Sequence, residues 1–154
     1  MTSPTETLAV FAGTDPRLER CFAIRRVVFI EEQAVPEHEE IDGRDRACTH
    51  FLLSSGPNDL ATARLRMVED GGQRVGKAER VAVHLRARGH GHGRTVMRAL
   101  EQAAWDAGAV AVKLGAQLTA LPFYERLGYA AFGPEFDDAG IPHRMMKKPA
   151  PALF

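Results

Sequence analysis

The segment RARGHGHGRT (86–95) holds the residues best suited to chemistry, because three glycines alternate with two histidines between arginines. Glycines let a backbone turn sharply or approach a ligand closely. An amphipathic helical pattern follows, and the first N–H groups of a helix lack internal partners and favour an anion. Arg88 and Arg94 can add charge-assisted contacts. The segment therefore predicts a phosphate or pyrophosphate site.

Two common nucleotide-binding motifs do not fit this segment. A P-loop needs G-x-x-x-x-G-K-[ST], but counting from Gly89 puts Arg94 at the second glycine position, and no Lys-Ser or Lys-Thr follows. A dinucleotide-binding fingerprint needs G-x-G-x-x-G. Its third glycine position falls on Arg94 when counted from Gly89 and on Val96 when counted from Gly91.

Histidines in and near this segment raise the question of a metal ion. His84, His90 and His92 lie close together in sequence, and a His-x-His pattern can bind a divalent cation. No carboxylate or cysteine in the neighbouring sequence completes such a site. We therefore predict no metal and interpret these histidines as loop residues beside the phosphates.

The elements that must position the glycine segment follow from hydrophobic periodicity and turn residues. A helix is expected to start at Asp15 as N-cap with Pro16 in its first turn. Segment 69–77 is predicted as a hairpin loop, and 34–45 as an acidic loop with a helical turn. Strands are predicted at 8–13, 49–55, 60–69, 79–85, 109–116, 129–136 and 141–148, and helices at 15–33, 93–108 and 120–128. The order predicts an α/β (α+β) sandwich with helices covering a largely antiparallel sheet.

Composition excludes several functional classes. The 154 residues suit one domain, with 45% hydrophobic and 26% charged residues. Lys+Arg and Asp+Glu both number 20, which argues against a nucleic-acid or membrane-surface binder. No apolar run nears the roughly 20 residues that span a bilayer, and the first residues lack signal-peptide features. Cys21 and Cys48 give no disulfide framework, so a cytoplasmic location is expected.

The glycine segment and its flanks resemble a known family. ERVAVHLRARGHGHGRTVMRALEQAA (79–104) matches R-x-x-G-x-G through Arg88, Gly91 and Gly93 and resembles the central motif of the GNAT superfamily of N-acetyltransferases. The resemblance implies acetyl-CoA (coenzyme A) as co-substrate, with its pyrophosphate on the glycine segment and its pantetheine arm along the preceding strand. The residues so implied in cofactor binding are Val81, Ala82, Val83, Arg88, Gly89, His90, Gly91, His92, Gly93, Arg94, Gln117 and Phe123.

A second segment strengthens this resemblance. AQLTALPFYERLGY (116–129) resembles the GNAT pattern N-x-x-A-x-x-F-Y-x-x-x-G-F, with Gln117 in place of the usual asparagine. The likeness covers most of the chain, and its two ends resemble a small bacterial branch of the ElaA/YjcF kind. It implies a GNAT-type fold with a mixed, mostly antiparallel sheet of six to seven strands and about four helices. We expect one acetyltransferase domain at 1–148 and a tail at 149–154.

Acetyl transfer to an amine needs a proton donor for the thiolate, a stabilised carbonyl oxygen and a proton acceptor. The resemblance places the hydroxyl of Tyr124 near the thioester sulfur as the donor, although a core tyrosine is the alternative. A backbone N–H within Val81–Val83 is the expected oxyanion donor. Glu79 lies two residues before Val81, so strand alternation puts both side chains on one face, where Glu79 is the candidate base. A solvated Glu79 is the alternative, and His50 is a weaker candidate base.

The acceptor side is less defined by sequence. The acidic segment, with carboxylates at Glu31, Glu32, Glu37, Glu39, Glu40, Asp42 and Asp45, can attract a cationic amine or can be a solvated surface run. Candidate substrate-binding residues are Glu32, His50 and His143, the last beside Arg144. A polyamine, an aminoglycoside-like amine, an amino acid and a protein lysine all remain open as the acceptor.

Three functions compete at this point. The first is an acetyl-CoA-dependent N-acetyltransferase that transfers the acetyl group directly in a ternary complex. The second is a non-catalytic acyl-CoA sensor or interaction module with the same fold. The third is an RNA-binding protein, which the zero net charge and the lack of interleaved aromatic residues disfavour. The predicted partners are therefore an amine acceptor, no nucleic acid and no membrane, with a homodimer implied by the edge strands of this family.

Overall fold

A computed structural model describes residues 5–152, which form a seven-stranded sheet with helices on both faces. The sheet order is β1-β2-β3-β4-β5-β7-β6, antiparallel except where β4 meets β5. The strands are β1 (Glu6–Ala12), β2 (Thr49–Ser55), β3 (Asn58–Asp70), β4 (Gln73–Val83), β5 (Ala111–Gln117), β6 (Ala130–Asp138) and β7 (Ile141–Pro149). The α-helices are α1 (Leu18–Arg25), α2 (Glu37–Glu40), α3 (His92–Asp106) and α4 (Leu121–Arg126). The predicted element order and fold class are confirmed.

The hairpin between β3 and β4 is much tighter than the predicted loop at 69–77. Its turn consists of Gly71 and Gly72, which have φ of +58° and +80° and so suit a two-residue hairpin. β4 therefore begins at residue 73 instead of 79. Gly76 lies inside the strand because a Cβ there would come within 3.1 Å of Ala104 on α3. It serves close helix packing and does not mark a turn.

The first predicted helix is two different segments. α1 ends at Arg25 and continues as a π-helix at Arg26–Glu32. Asp15 does not cap it; its carboxylate accepts from the backbone N–H and the guanidinium of Arg17, which closes a turn before the helix. A π-helical turn shifts the direction of the side chains that follow it and often occurs at functional sites.

The sheet separates two hydrophobic cores. The larger lies under α3 and α4 and includes Val96, Met97, Leu100, Leu114 and Tyr124. The smaller lies under α1 and includes Phe11, Cys21, Ile24, Val28, Leu52 and Ala82. β2, β3 and β4 contribute to the cores, and β5 packs Val112, Leu114 and Ala116 on the larger one. No helix among residues 5–152 is both long and apolar enough to cross a bilayer.

The predicted C-terminal tail starts too early. Pro149 is the last residue of β7, and the N–H of Ala150 donates to the carbonyl of Val110 at 2.9 Å. These two residues are held by the sheet ladder, which the Pro/Ala-rich composition concealed. Residues 153–154 of the predicted tail and residues 1–4 of the predicted domain lie outside the described residues.

The feature that creates a site is the separation of β4 from β5. The two strands pair in parallel over only three positions, from Val75 with Ala111 to Lys77 with Lys113. Beyond Lys77 they diverge, so the carboxyl-terminal half of β4 has no strand partner on that side. An opening therefore runs through the middle of the sheet towards the start of α3.

Candidate functional site

A cleft of about 760 Å³ fills this opening. Its walls are the ends of β4 and β5, the start of α3 with the glycine segment, α4, the π-helix with α2, and the hairpin between β6 and β7. Ten of the twelve residues predicted to bind the cofactor line it. His90 and Arg94 do not; both are exposed, and the His90 ring lies 5.9 Å from that of His92.

The glycine segment forms a cradle at one end of the cleft. Gly89 and Gly91 have φ of +85° and +78°, and a Cβ on either would meet no atom within 4 Å. Gly91 is the N-cap of α3, so the unpaired N–H groups of the first turn follow it. Bare backbone, open space and a positive helix end together suit a phosphate or pyrophosphate group.

Gly93 has a different function in the same segment. A Cβ there would lie 3.1 Å from the ring of Phe123 and 3.4 Å from Val83. The absence of a side chain lets the first turn of α3 pack against α4 and β4. This packing brings the cradle to the opening between the strands.

The end of the π-helix bridges the two walls of the cleft. Arg88 donates to both carboxylate oxygens of Glu32, at 2.8 and 2.6 Å, and also to the carbonyl of Val83. The hydrogen bonds from Arg88 lower the pKa of Glu32. The amide of Gln117 donates to Gln33 at 2.8 Å. Glu32, predicted to bind the acceptor, is thus paired with the cradle, and Gln117 is held by Gln33 at the end of the π-helix.

Tyr124 lies in the wall of the cleft beside Phe123, in an edge-to-face contact with ring centres 4.9 Å apart. Burial raises the pKa of its phenol, which therefore stays protonated at neutral pH. No described residue gives the hydroxyl a hydrogen-bond partner, while every fully buried side-chain polar atom described has one. The hydroxyl therefore opens on the cleft, as a proton donor must.

A β-bulge in β4 shapes the middle of the cleft. The pairing of β3 with β4 shifts between Thr62 and Arg64, and Arg80 in β4 has φ of +55°. Past the bulge, the N–H of His84 donates to the carbonyl of Leu60. Alternation along an antiparallel pair then turns the backbone groups of Val83 away from β3 and towards the cleft.

The bulge also overturns one sequence inference. Glu79 and Val81 were expected on one face of the sheet, but the extra residue reverses the alternation. Val81 packs on the core under α3, whereas Glu79 pairs with Arg64 on the α1 side. Glu79 still lines the cleft, but from the face opposite to Val81.

Behind Glu79 lies an ion-pair network that we call the arginine–carboxylate cluster: Arg25, Arg64, Arg66 and Arg80 with Glu40, Asp42, Asp45 and Glu79. Arg25 and Arg64 are both 1% exposed, and the four positive charges match the four negative ones. Burial alone would raise the pKa of Glu79, but the hydrogen bond from Arg66 and the charge of Arg64 hold it below its usual value. This lowers the basicity of the predicted base.

The cluster changes the interpretation of the acidic segment. Ion pairs engage five of its seven carboxylates, namely Glu32, Glu37, Glu40, Asp42 and Asp45. Their charge is compensated inside the molecule, so it contributes little attraction for a cationic acceptor. Glu39 belongs to the remaining two and lines the cleft.

Gly13 is packed against the acidic segment, since a Cβ there would lie 1.9 Å from the carbonyl of Asp45.

The cluster should make stability depend on pH in acid. Burial alone would raise the pKa of Asp42. The hydrogen bonds from the Arg64 side chain and the Arg44 N–H outweigh burial, so the pKa of Asp42 is lowered. The pKa of Asp45 is also lowered, since bonds from Arg25 outweigh burial. A carboxylate with a lowered folded pKa stabilises fully above its unfolded pKa, about 4, and loses that contribution as pH falls.

We therefore expect the free energy of unfolding, measured with urea, to fall steadily below about pH 5. Asp42→Asn should be less stable than the wild type at neutral pH but should lose less on acidification, so the two curves converge as pH falls. Parallel curves would show that the Asp42 carboxylate does not take part in this linkage.

The two histidines predicted at the acceptor side have different places. His50 is 1% exposed, does not line the cleft, and its Nε2 lies 2.7 Å from the carbonyl of Asp45. Burial lowers the pKa of His50. His143 does line the cleft and stacks on Phe136, with ring centres 5.7 Å apart. The structure therefore brings Tyr124, Glu79 and His143 to one cleft and leaves His50 outside it.

The remaining candidates are structural or lie at the surface. Cys48 is buried, with its thiol near the carbonyl of Arg44, and Cys21 is fully buried. Arg144 donates to the carbonyl of Gly133. Within residues 5–152, no group of three histidine, cysteine or acidic side chains is arranged to hold a metal ion.

Arg80 and Gln33 are among the cleft residues that sequence reasoning missed. Arg80 combines a left-handed backbone with side-chain bonds to the carbonyls of Glu39 and Glu40, and Gln33 pairs with Gln117 across the cleft. Neither position has a local pattern, because both depend on contacts with distant segments. Neither residue is among the positions that define the two family motifs.

Known proteins resemble this chain in sequence and in fold. Residues 61–150 match the family described as "Acetyltransferase (GNAT) domain". YjcF of Bacillus subtilis (strain 168), described as an uncharacterized N-acetyltransferase, is 42% identical over 141 residues, covering 91% of this chain and 98% of that protein. A crystal structure of an acyl-CoA N-acyltransferase from Pseudomonas aeruginosa is 29% identical with a TM-score of 0.81, covering 94% and 99% of the two chains. ElaA of Escherichia coli has the same fold, with 24% identity, a TM-score of 0.82 and coverage of 94% and 99%.

Proposed function

The chain belongs to the GNAT acetyltransferase family, and from this premise we propose that it transfers an acetyl group from acetyl-CoA to a primary amine by direct transfer in a ternary complex. The family and its acyl-CoA chemistry confirm the resemblance seen in the two motifs. The observation that carries the finer proposal is the continuous cleft from the phosphate cradle, through the split between β4 and β5, to Tyr124.

The residues present fit coenzyme A. The open backbone at Gly89 and Gly91 suits the pyrophosphate, with the N–H groups of the first turn of α3 as donors. The edge of β4 around Val81 and Val83 suits the amide groups of a pantetheine arm, since β5 no longer occupies that side. The carbonyl of Val83 on this edge is already bonded to Arg88. When bound, acetyl-CoA supplies an activated acyl carbon and a thiol leaving group.

The chain's own groups then have separate tasks. The Tyr124 hydroxyl donates a proton to the departing sulfur, since burial keeps the phenol protonated. A backbone N–H of the Val81–Val83 segment donates to the carbonyl oxygen as negative charge develops there. Glu79 lines the cleft and is a candidate base, but Arg64 and Arg66 reduce its basicity.

The chemistry of the cleft supports an amine acceptor. The carboxylates of Glu39 on α2 and Asp138 at the end of β6 line its acceptor end, and both residues are exposed. They can attract a cationic amine over several ångströms.

Reaction with acyl-CoA and the two unbridged cysteines are consistent with a cytoplasmic location. The edge strand β6, with Phe132 and Phe136 exposed, is consistent with a homodimer.

The test is calorimetric titration of the protein with acetyl-CoA, coenzyme A and ATP, followed by thiol release with a panel of amines. The panel contains a polyamine, an aminoglycoside, an amino acid and a lysine peptide. We expect binding of acetyl-CoA and coenzyme A but not ATP, and transfer to at least one amine. Binding without transfer to any amine would instead support a non-catalytic acyl-CoA sensor. Absence of binding would favour the RNA-binding alternative, tested by salt-dependent retention on a nucleic-acid column.

A further inference from the structure

We propose that His143 is the general base of this reaction and that its Nε2 accepts the proton of the attacking amine. The inference rests on the proposed function and gives a role to a residue expected only to contact the acceptor. It follows from the orientation of the ring, from its face of the sheet, and from the pairing of the other cleft groups.

The ring is oriented by its neighbours. Nδ1 of His143 lies 2.7 Å from the carbonyl oxygen of Ile141, and the ring stacks on Phe136. A carbonyl oxygen can only accept a hydrogen bond, so Nδ1 must carry the proton. The neutral ring therefore has its lone pair on Nε2. No described residue is bonded to Nε2, and no fully buried polar side-chain atom described is unpaired, so Nε2 opens on the cleft.

His143 lies on the acceptor side of the opening. It is paired directly with Gln117 across β5 and β7, and directly opposite side chains project from the same face of a sheet. The Gln117 side chain contacts Gln33 at the end of the π-helix, so this face is the α1 side. Tyr124 belongs to the core on the other face. Base and acid candidates thus approach the opening from opposite sides, so that one can act on the attacking amine and the other on the departing sulfur.

The other ionisable groups of the cleft are less suited to accept a proton. They are Glu39 and Glu40 of α2, Glu79 and Arg80 of β4, Arg88 and His92 at the cradle, Tyr124 of α4 and Asp138 at the end of β6. Glu40 and Glu79 are held by arginines of the arginine–carboxylate cluster. Glu39 and Asp138 are exposed carboxylates, a class that is weakly basic at neutral pH. An imidazole is the side chain suited to accept a proton in this range. The other imidazole of the cleft, His92, lies in the first turn of α3 at the cradle, with its Nδ1 3.5 Å from a carboxylate oxygen of Glu6.

The protons balance. As the amine nitrogen forms its bond to the acyl carbon, the proton that it loses passes to Nε2 of His143. The sulfur, whose bond to the acyl carbon breaks, takes the proton of the Tyr124 hydroxyl. The products are the amide and the thiol, after which His143 releases its proton to solvent and Tyr124 regains one.

The test uses His143→Gln with acetyl-CoA and a weakly basic acceptor, a hydrazide or an aromatic amine, that stays neutral over about pH 5 to 8. For the wild type, kcat/KM should rise with pH through the range where an imidazole loses its proton. The variant should lose this rise, and its kcat should fall about 10²-fold. Its affinity for acetyl-CoA should be unchanged, because His143 lies on β7 and is not part of the cradle.

His38→Gln is the matched control, because His38 is exposed on α2 and does not line the cleft; it should keep the wild-type rate and profile. If circular dichroism shows that His143→Gln does not fold, His143→Asn replaces it. A uniform loss of rate with an unchanged pH profile, or no loss, would overturn the base assignment alone. A wild type that binds acetyl-CoA but acetylates no amine would overturn the proposed function, and this inference with it.

Discussion

Gly91→Glu is expected to weaken the binding of acetyl-CoA by at least about 10²-fold, or about 3 kcal/mol. Gly91 is the N-cap of α3, has φ of +78° and has open space where a side chain would begin. A glutamate there would place a carboxylate at the helix end that should receive the pyrophosphate. Like charges would repel, and the side chain would occupy the cradle. Calorimetric titration with acetyl-CoA measures the loss.

Backbone strain must be separated from this effect, since a non-glycine residue in the left-handed region costs about 1–2 kcal/mol. Gly72→Glu is a matched control, because Gly72 has φ of +80° and open space but lies at the tip of the β3–β4 hairpin, outside the cleft. It should lose comparable stability and keep its affinity for acetyl-CoA. Equal affinities of Gly91→Glu and Gly72→Glu for acetyl-CoA would show that the glycine segment is not part of the binding site.

The glycine segment could be predicted because its signal is local. Glycines, flanking arginines and a helical pattern occupy consecutive positions, and the physical argument for an anion needs only these. The order of strands and helices could also be predicted from local signals, because strands and helices differ in hydrophobic period. The position of Tyr124 followed from the resemblance. The structure adds that its hydroxyl faces a cleft continuous with the cradle.

The electrostatics of the acceptor side could not be predicted in the same way. Arg25 pairs with carboxylates 15 and 20 residues away, and Arg80 reaches back 40 residues to Glu40. From sequence, the acidic segment looked like a rim able to attract cations. Only the fold shows that arginines from α1, the π-helix, β3, β4 and the glycine segment pair with five of its seven carboxylates.

The β-bulge in β4 also depends on contacts between residues that are distant in sequence. Arg80 adopts a left-handed backbone that side chains of its kind rarely adopt, and its guanidinium is bonded to carbonyls of α2. Such strain persists only where surrounding contacts determine it. Strand alternation from sequence assumed an unbroken β4 and therefore placed Glu79 on the wrong face. Identifying His143 as base depends on correcting this, because the correction puts Glu79 within reach of Arg64 and Arg66.

Tyr124→Phe is expected to lower kcat about 10²- to 10³-fold while acetyl-CoA binds as tightly as to the wild type. Phenylalanine keeps the ring that packs against Phe123 and removes only the hydroxyl, which has no partner among the described residues. The fold should therefore be unaffected, and the loss should appear in the chemical step. Steady-state kinetics with the amine identified by the panel, together with calorimetry, separates kcat from binding.

Tyr129→Phe is the matched control for Tyr124→Phe. The rings of Tyr124 and Tyr129 are neighbours, with centres 5.8 Å apart. The Tyr129 hydroxyl donates to buried Glu101 at 2.6 Å and does not line the cleft. Its removal should cost about 1–3 kcal/mol of stability and leave kcat nearly unchanged. If Tyr124→Phe also keeps its kcat, the hydroxyl at the cleft surface is not the proton donor. The thiolate would then leave unprotonated or take its proton from water.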